Sequence, residues 1–175
     1  PRILGRVLGA ATRRRGSAGY SFIETVFVTG FMSVVTAMAI PMSGNTLRNF
    51  RLTGDVRSLT NTVSLAKMRA ASTFDQTRVY LDLSAKTFHV DLWQKTGTPG
   101  WVADGGTTPL SSGVAPGVAS LTTPPANTQA TLAQAPACRT AAGAAIANTA
   151  CVVFNSRGNP IDSTGSPTAV DALYL

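Results

Sequence analysis

The sequence predicts an α+β fold, in which one long N-terminal helix packs on a small, mostly antiparallel β-sheet. Residues 20–42 are apolar apart from a single carboxylate, and apolar residues recur at helical spacing up to position 72. Residues 73–175 change to short segments of alternating apolar and polar residues, separated by Gly, Pro and Thr. With 175 residues, of which 44% are hydrophobic, the chain has room for one modest soluble domain beside a membrane segment.

Residues 1–19 form a basic leader. The formal net charge of the chain is +7, and five of the fifteen basic residues but none of the eight acidic ones precede Tyr20. The remainder therefore carries ten basic against eight acidic residues, or +2. Basic residues beside an apolar segment keep that flank in the cytoplasm during insertion. The leader thus predicts a single-pass orientation with the amino end inside, and the small remaining charge gives little support to nucleic-acid binding.

Residues 20–42 are a candidate transmembrane segment. As a helix they are long enough to cross a hydrocarbon core of about 30 Å. A secretory signal has its small-residue cleavage site after the apolar run, whereas here Ser17, Ala18 and Gly19 precede the run on its basic side. The reversed order indicates processing at the cytoplasmic end of the segment.

Glu24 is the one charged residue in this apolar segment. An ionised carboxylate within lipid costs roughly 2.5 to 3.5 kcal/mol unless it lies near the interface or meets a cation. Cleavage after Gly19 would supply a cation, because the new α-amino group of Tyr20 is protonated at neutral pH. We therefore expect Glu24 to pair with that amine on its own chain or on a neighbouring one. The alternative is an ordinary signal anchor whose Glu24 lies in the headgroup layer.

The Arg-rich leader, Gly19, the aromatic Tyr20, Glu24 and Pro41 together resemble the type III signal of type IV pilins and type II secretion pseudopilins. The resemblance implies that a prepilin peptidase cuts after Gly19 and methylates the new terminus at Tyr20, which replaces the commoner phenylalanine. It also implies that Glu24 and Pro41 serve the assembly of the segment into a filament. For Pro41 the residues themselves leave two alternatives, a kink within a longer helix or the end of the membrane helix.

Residues 43–72 are predicted to continue the helix as an amphipathic half. Their apolar residues recur every three or four positions and form one stripe toward the sheet. The stripe consists of Leu52, Val56, Leu59, Val63, Ala66 and Ala70. One helix from Tyr20 to about Ser72 is therefore expected. Gly44 and Gly54 weaken it by roughly 1 kcal/mol each, which favours a bend or local melting near them.

Residues 73–175 are predicted to form a β-rich head. Alternation at 78–83 and 88–93 indicates a hairpin with one face toward the helix stripe. Residues 95–117, rich in Gly, Pro, Thr and Ser, are expected to be a long irregular loop. Three further short strands are expected at residues 118–122, 151–155 and 170–175. This order of elements resembles the GspH/FimT branch of the pseudopilins, which has a long helix and a β-rich head.

Cys138 and Cys151 are separated by twelve residues in the part of the chain predicted to lie outside the cytoplasm. In an oxidising compartment we expect them to form a disulfide, which would close a loop with few apolar residues. The alternative is a pair of unpaired buried thiols. Two cysteines with one distant imidazole, that of His89, do not make a zinc site.

The residues do not predict catalysis, and we expect the chain to be the substrate of an enzyme rather than an enzyme. His89 is the one imidazole in the sequence, and its strand-like surroundings predict a surface or edge position. The aspartates are scattered without the spacing of a metal-binding loop. Neither a metal nor a cofactor is therefore expected.

The predicted function is that of a minor pilin or pseudopilin, a subunit of a type IV pilus or a type II secretion pseudopilus. Its expected partners are the prepilin peptidase, other pilin or pseudopilin subunits and the bacterial inner membrane, with the head in the periplasm. One alternative is a minor pilin that binds DNA during transformation, through Trp93, Trp101, Lys86, Lys95, Arg139 and Arg157. The other is a membrane-anchored periplasmic domain that does not assemble.

Overall fold

The computed structural model describes residues 19, 21–126, 132–168 and 171–175, without the side chains of residues 40–43. One α-helix, α1, is followed by six strands in an antiparallel sheet. The bounds are α1 Phe22–Thr73, β1 Thr77–Asp82, β2 Thr87–Gln94, β3 Gly100–Ala103, β4 Thr108–Pro109, β5 Thr149–Phe154 and β6 Pro160–Ile161. The strand order is β3-β2-β1-β5-β6, with β4 also paired to β2. The predicted α+β fold is confirmed.

Helix α1 matches the predicted helix closely, ending at Thr73 where Ser72 was expected. Its backbone remains helical at Gly44 and Gly54, so local melting there was a wrong expectation. The chain divides into two compact units, residues 1–43 and residues 44–175. The described helical residues of the first unit are exposed, whereas the second unit contains the sheet and the hydrophobic core.

The C-terminal part of the predicted helix stripe lies in the core. Leu59, Ala66 and Ala70 are buried against the sheet. For the N-terminal part of the stripe the prediction is wrong, because Leu52 and Val56 are 37% and 45% exposed. The polar Asp55, one helical turn before Leu59 and on the same face, is buried in their place. Its carboxylate accepts hydrogen bonds from the backbone N–H and the hydroxyl of Ser111, at 2.8 and 2.9 Å.

The predicted hairpin is confirmed as β1 and β2, which pair with Val79 opposite Val90. Alternation directs one set of side chains into the core against the helix, and β5 adds its own inward set on the other side of β1. The buried members are Val79, Leu81, Phe88, Val90, Ala150, Val152 and Phe154. The strand expected at 151–155 is therefore present as β5, which begins two residues earlier.

Three segments of the head differ from expectation. The predicted irregular loop at 95–117 contains β3 and β4, which both pair with the long strand β2. The strand expected at 118–122 is absent from the structure, which has turns there and exposes Leu121. Of the strand expected at 170–175, residue 170 lies outside the described residues, and 171–175 have no strand pairing. Ala172 instead accepts a hydrogen bond from the N–H of Ala135, in a loop.

Candidate functional site

The first candidate functional element is the N-terminal part of α1. Its described residues 22–39 are exposed, and the helix contains a stretch long and apolar enough to cross a membrane. From position 25 to position 47 the sequence has no charged residue, so Glu24 in the first turn stands apart from the next charge, Arg48. The large exposed side chains here include Phe27, Phe31 and Met38. An exposed apolar helix of this kind requires lipid or protein neighbours.

One face of this helical segment carries hydroxyl side chains, which we call the hydroxyl ladder. It consists of Thr25, Thr29, Ser33 and Thr36, spaced three or four residues apart and so on one side of the helix. Each hydroxyl donates to the backbone carbonyl four residues before it, at distances between 2.7 and 3.3 Å. The donor capacity of this face is therefore satisfied within the helix itself.

The predicted processing and assembly residues lie at this end of the chain. Gly19 is exposed and has no regular secondary structure, while Tyr20 and the rest of the leader lie outside the described residues. Glu24 is exposed in the first helical turn. The helix does not end at Pro41, because the backbone is helical there and beyond. The pairing of Glu24 with a terminal amine stays a prediction.

The second candidate element is the face of the sheet that points away from the helix. Alternation along β1 and β2 places Arg78 opposite Asp91 and Tyr80 opposite His89 on this outer face. Trp101 from the edge strand β3 lies opposite Trp93 of β2, with ring centroids 5.1 Å apart and planes at 71°. Charged and aromatic residues thus form the outer layer where hydrophobic residues form the inner one.

Arg78 is the centre of this outer layer. Its Nε donates to Asp91 Oδ2 at 2.7 Å, and its Nη1 donates to the backbone carbonyl of Arg139 at 2.6 Å. The guanidinium carbon lies 4.3 Å from the ring centroid of Trp101 and 5.2 Å from that of Tyr80. Arg78 and Asp91 are 5% and 4% exposed. The ion pair is therefore removed from water and held by two cation–π contacts.

His89 extends this cluster. Its Nε2 lies 3.0 Å from Asp91 Oδ1, and its ring stacks on Tyr80 at 4.8 Å. Burial, with a smaller contribution from the Asp82 charge, raises the pKa of Tyr80. The buried Nδ1 of His89 has no hydrogen-bond partner among the described residues. Of the predicted surface or edge position, the edge alternative was wrong, because β2 is flanked by β1 on one side and by β3 and β4 on the other; the side chain is 19% exposed.

A loop that includes residues 136–143 and is bound by a disulfide covers this face. Cys138 and Cys151 are joined, with their Cα atoms 5.0 Å apart, and the bond ties the covering loop to β5. Backbone hydrogen bonds support the same attachment: the N–H of Cys151 donates to the carbonyl of Pro136 at 2.8 Å, and the N–H of Cys138 donates to Thr149 Oγ1 at 3.0 Å. The bridge therefore fixes the loop that contributes the Arg139 carbonyl to Arg78.

Between the loop and the sheet lies a cavity of about 220 Å³, which we call the outer cavity. Its lining includes Arg78, Trp93, Trp101, the Cys138–Cys151 bridge, Asp162 and Asp171. Asp162 Oδ1 accepts hydrogen bonds from the hydroxyl and N–H of Thr164 and from the N–H of Ser166, and these bonds lower the pKa of Asp162. Burial, and secondly the charge of Asp162, raise the pKa of Asp171.

The structure brings together only part of the aromatic and basic set named from the sequence. Trp93, Trp101 and Arg139 line the outer cavity, whereas Lys86, Lys95 and Arg157 do not. Lys95 is instead paired with Asp75. Sequence reasoning missed Arg78 and Asp91, although the hairpin alternation placed both on the outer face and a correct register would have paired them.

A long N-terminal helix packed on an antiparallel sheet is a pilin-like layout. In comparisons with known proteins, no family model, no curated protein and no solved structure matches the chain.

Proposed function

We propose that this chain is a minor pilin or pseudopilin, anchored in the bacterial inner membrane by α1 and assembled through that helix into a type IV pilus or a type II secretion pseudopilus. The observation that carries the proposal is the exposed apolar part of α1, residues 22–39, with Glu24 in its first turn. The leader and its cleavage glycine precede this segment, as the type III signal requires. The folded head follows it, as in a pilin-like layout.

The proposed mechanism is the transfer of an apolar helix from lipid into a bundle of similar helices. Packing between helices replaces contacts with lipid, so the hydrophobic effect contributes little and side-chain fit and polar pairing decide the association. Glu24 supplies the polar pairing, because a carboxylate in a low-dielectric environment attracts an α-amino cation strongly. The amine is that of Tyr20 on a neighbouring subunit, created when the prepilin peptidase cuts after Gly19.

The mature amino terminus tests the processing step. The chain is produced in a host with a prepilin peptidase, and the purified protein is analysed by mass spectrometry. We expect a terminus at Tyr20, carrying one added methyl group, and we expect Gly19→Val to leave the leader attached. A wild-type protein that keeps its leader in this host would contradict the proposal and favour a membrane anchor that does not assemble.

Variants of Glu24 test the assembly step. Glu24→Val should remain in the membrane fraction but be lost from sheared filaments, whereas Glu24→Asp, which keeps the charge, should be incorporated in part. Thr25→Val is the matched control, because it removes a self-bonded hydroxyl from the neighbouring position without changing charge. Equal incorporation of Glu24→Val and the wild type would show that the carboxylate has no docking role.

A further inference from the structure

We propose that the outer cavity binds a primary alkylammonium group on an apolar stem, as found at the end of a lysine side chain presented by another protein. The proposal concerns the head and goes beyond assembly through the helix. It rests on three properties of the cavity: an aromatic wall, two carboxylates that outnumber the one guanidinium group not already paired with a carboxylate, and a volume that fits one side chain.

The aromatic wall is formed by Trp93 and Trp101, which meet edge to face. Indole rings attract cations through their negative π face, and tryptophan is the strongest of the aromatic residues in this respect. Trp101 already contacts the guanidinium of Arg78 at 4.3 Å, so the ring available to a second cation is that of Trp93. The disulfide and the apolar Val153 and Ile161 supply surface for an aliphatic stem.

The charges around the cavity favour a cation over an anion. Arg78 is matched by Asp91 behind it, with two of its three nitrogens bonded within the protein. The guanidinium of Arg139 donates to the carbonyl of Gly143 at 3.0 Å. The lining has two carboxylates, Asp162 and Asp171, and two guanidinium groups, Arg78 and Arg139. Because Asp91, outside the lining, pairs with Arg78 at 2.7 Å, Arg139 is the one cation of the lining left to balance the two carboxylates.

Asp171 is the carboxylate available to a ligand. It has no hydrogen-bond or ion-pair partner among the described residues, and it is repelled by the charge of Asp162 in the same lining. An ammonium group in the cavity would be attracted by both carboxylates, since both line it. A carboxylate or phosphate ligand would be repelled by both.

The volume sets the size of the ligand. At about 220 Å³, the cavity lies below the roughly 300 to 1,000 Å³ of sites for drug-sized molecules. A lysine side chain, with four methylenes and one ammonium group, is small enough to enter from a protein surface. The proposed partner is therefore a protein that presents a lysine, and the affinity of one such side chain will be weak.

Intrinsic fluorescence tests the proposal directly, because Trp93 and Trp101 are the two tryptophans of the chain and both line the cavity. The full chain in detergent micelles is titrated at constant ionic strength with Nα-acetyl-lysine amide, which keeps the side-chain ammonium group. N-acetyl-norleucine amide serves as the uncharged isostere and N-acetyl-glutamate amide as the anionic probe. We expect a saturable emission change with the lysine probe and at least about threefold weaker binding of the other two.

Two variants locate the site. Asp171→Asn removes the unpartnered charge with little change in shape and should weaken lysine-probe binding about two- to fivefold, the range for one partly exposed charge contact. Asp104→Asn, which removes an aspartate paired with Arg69 outside the cavity, should leave binding unchanged. Equal binding of the norleucine probe, preferred binding of the glutamate probe, absence of saturation, or an unaffected Asp171→Asn variant would each overturn the proposal.

Discussion

Arg78 and Asp91 form an ion pair of 2.7 Å between neighbouring strands, and both side chains are only 6% exposed. They face each other on the side of the sheet that a loop covers, where a hydrophobic pair would avoid the desolvation of two charges. The pair therefore contributes more to the organisation of the outer face than to stability.

Removing one partner of the ion pair should destabilise the head more than removing both. Asp91→Leu leaves Arg78 buried without its counter-charge and should lower the free energy of unfolding by about 3 to 5 kcal/mol. Arg78→Leu combined with Asp91→Leu should be less destabilising than Asp91→Leu by itself. Thermal unfolding of the full chain, followed by tryptophan fluorescence, measures the difference. The pair of Arg69 and Asp104, with side chains 48% and 24% exposed, is the control, because removal of this solvent-accessible pair should change stability by less than about 1 kcal/mol.

Gly158 should resist substitution because its turn lies against the helix. It has φ of +75°, and a Cβ placed on it would lie 3.2 Å from the backbone oxygen of Lys67. Gly158→Ala should therefore combine conformational strain with a clash and lower the free energy of unfolding by about 2 to 3 kcal/mol. Gly165→Ala isolates the strain, since Gly165 has φ of +84° with open space around it, and should cost about 1 kcal/mol. Equal losses in the two variants would mean that the contact with Lys67 is unimportant.

The disulfide should hold the loop over the outer face. Replacing both Cys138 and Cys151 with alanine opens the loop between them, whose ends are 13 positions apart in the sequence. This should destabilise the head by about 3 kcal/mol in the chain-entropy model. Because the loop covers Trp93 and Trp101, their emission should shift to longer wavelength in the folded variant. Reduction of the wild type should reproduce both effects. An unchanged emission spectrum after reduction would show that the loop stays in place without the bridge.

The turn between β1 and β2 should weaken in acid. Asp82 Oδ1 accepts hydrogen bonds from the N–H of Ala85 at 2.7 Å and from the hydroxyl and N–H of Ser84, and these bonds lower the pKa of Asp82. A carboxyl whose pKa is lower in the folded state stabilises the fold above its unfolded pKa of about 3.9. That contribution is lost as the pH falls through the folded value.

A carbon-detected NMR titration of the Asp82 carboxyl measures this pKa in the folded protein, and the amide protection of Ala85 reports the turn. We expect protection to decrease below about pH 4 in the wild type. In the Asp82→Asn variant the amide protection of Ala85 should be lower at neutral pH than in the wild type, and it should change less with pH. A wild-type turn whose protection does not change in acid would contradict the role of the carboxylate.

The elements that could be predicted from the sequence are those with a sustained period. The first half of α1 is a long apolar run, its second half repeats apolar residues at helical spacing, and the six to eight residues of β1 and β2 alternate often enough to define a face. Strands β3 and β4 have four and two residues, too few to show a period, and their Gly, Pro and Thr content is typical of loops. They exist because the edge of β2 that does not face β1 has room for both: Asp91–Gln94 pair with β3, and Thr87 and Phe88 pair with β4.

The candidate site was harder to predict because it depends on distant partners. The burial of Asp55 follows from hydrogen bonds to Ser111, 56 residues away, and its local pattern indicates an exposed polar position. The outer cavity likewise combines Arg78 from β1 with Trp101 from β3 and Asp171 from the C-terminal segment. Alternation could place Arg78 and Asp91 on the outer face, but only the fold shows that a loop covers them.

The hydroxyls of Thr25, Thr29, Ser33 and Thr36 make this side of α1 indifferent to its surroundings. Since every one of them is already engaged by its own helix, exchanging acyl chains for protein side chains strands no donor and demands no new one. The free energy of burying these hydroxyls is therefore nearly the same in lipid as against another protein. In the assembly proposed for this segment, selectivity for one neighbour over another would therefore come from side-chain shape and from Glu24.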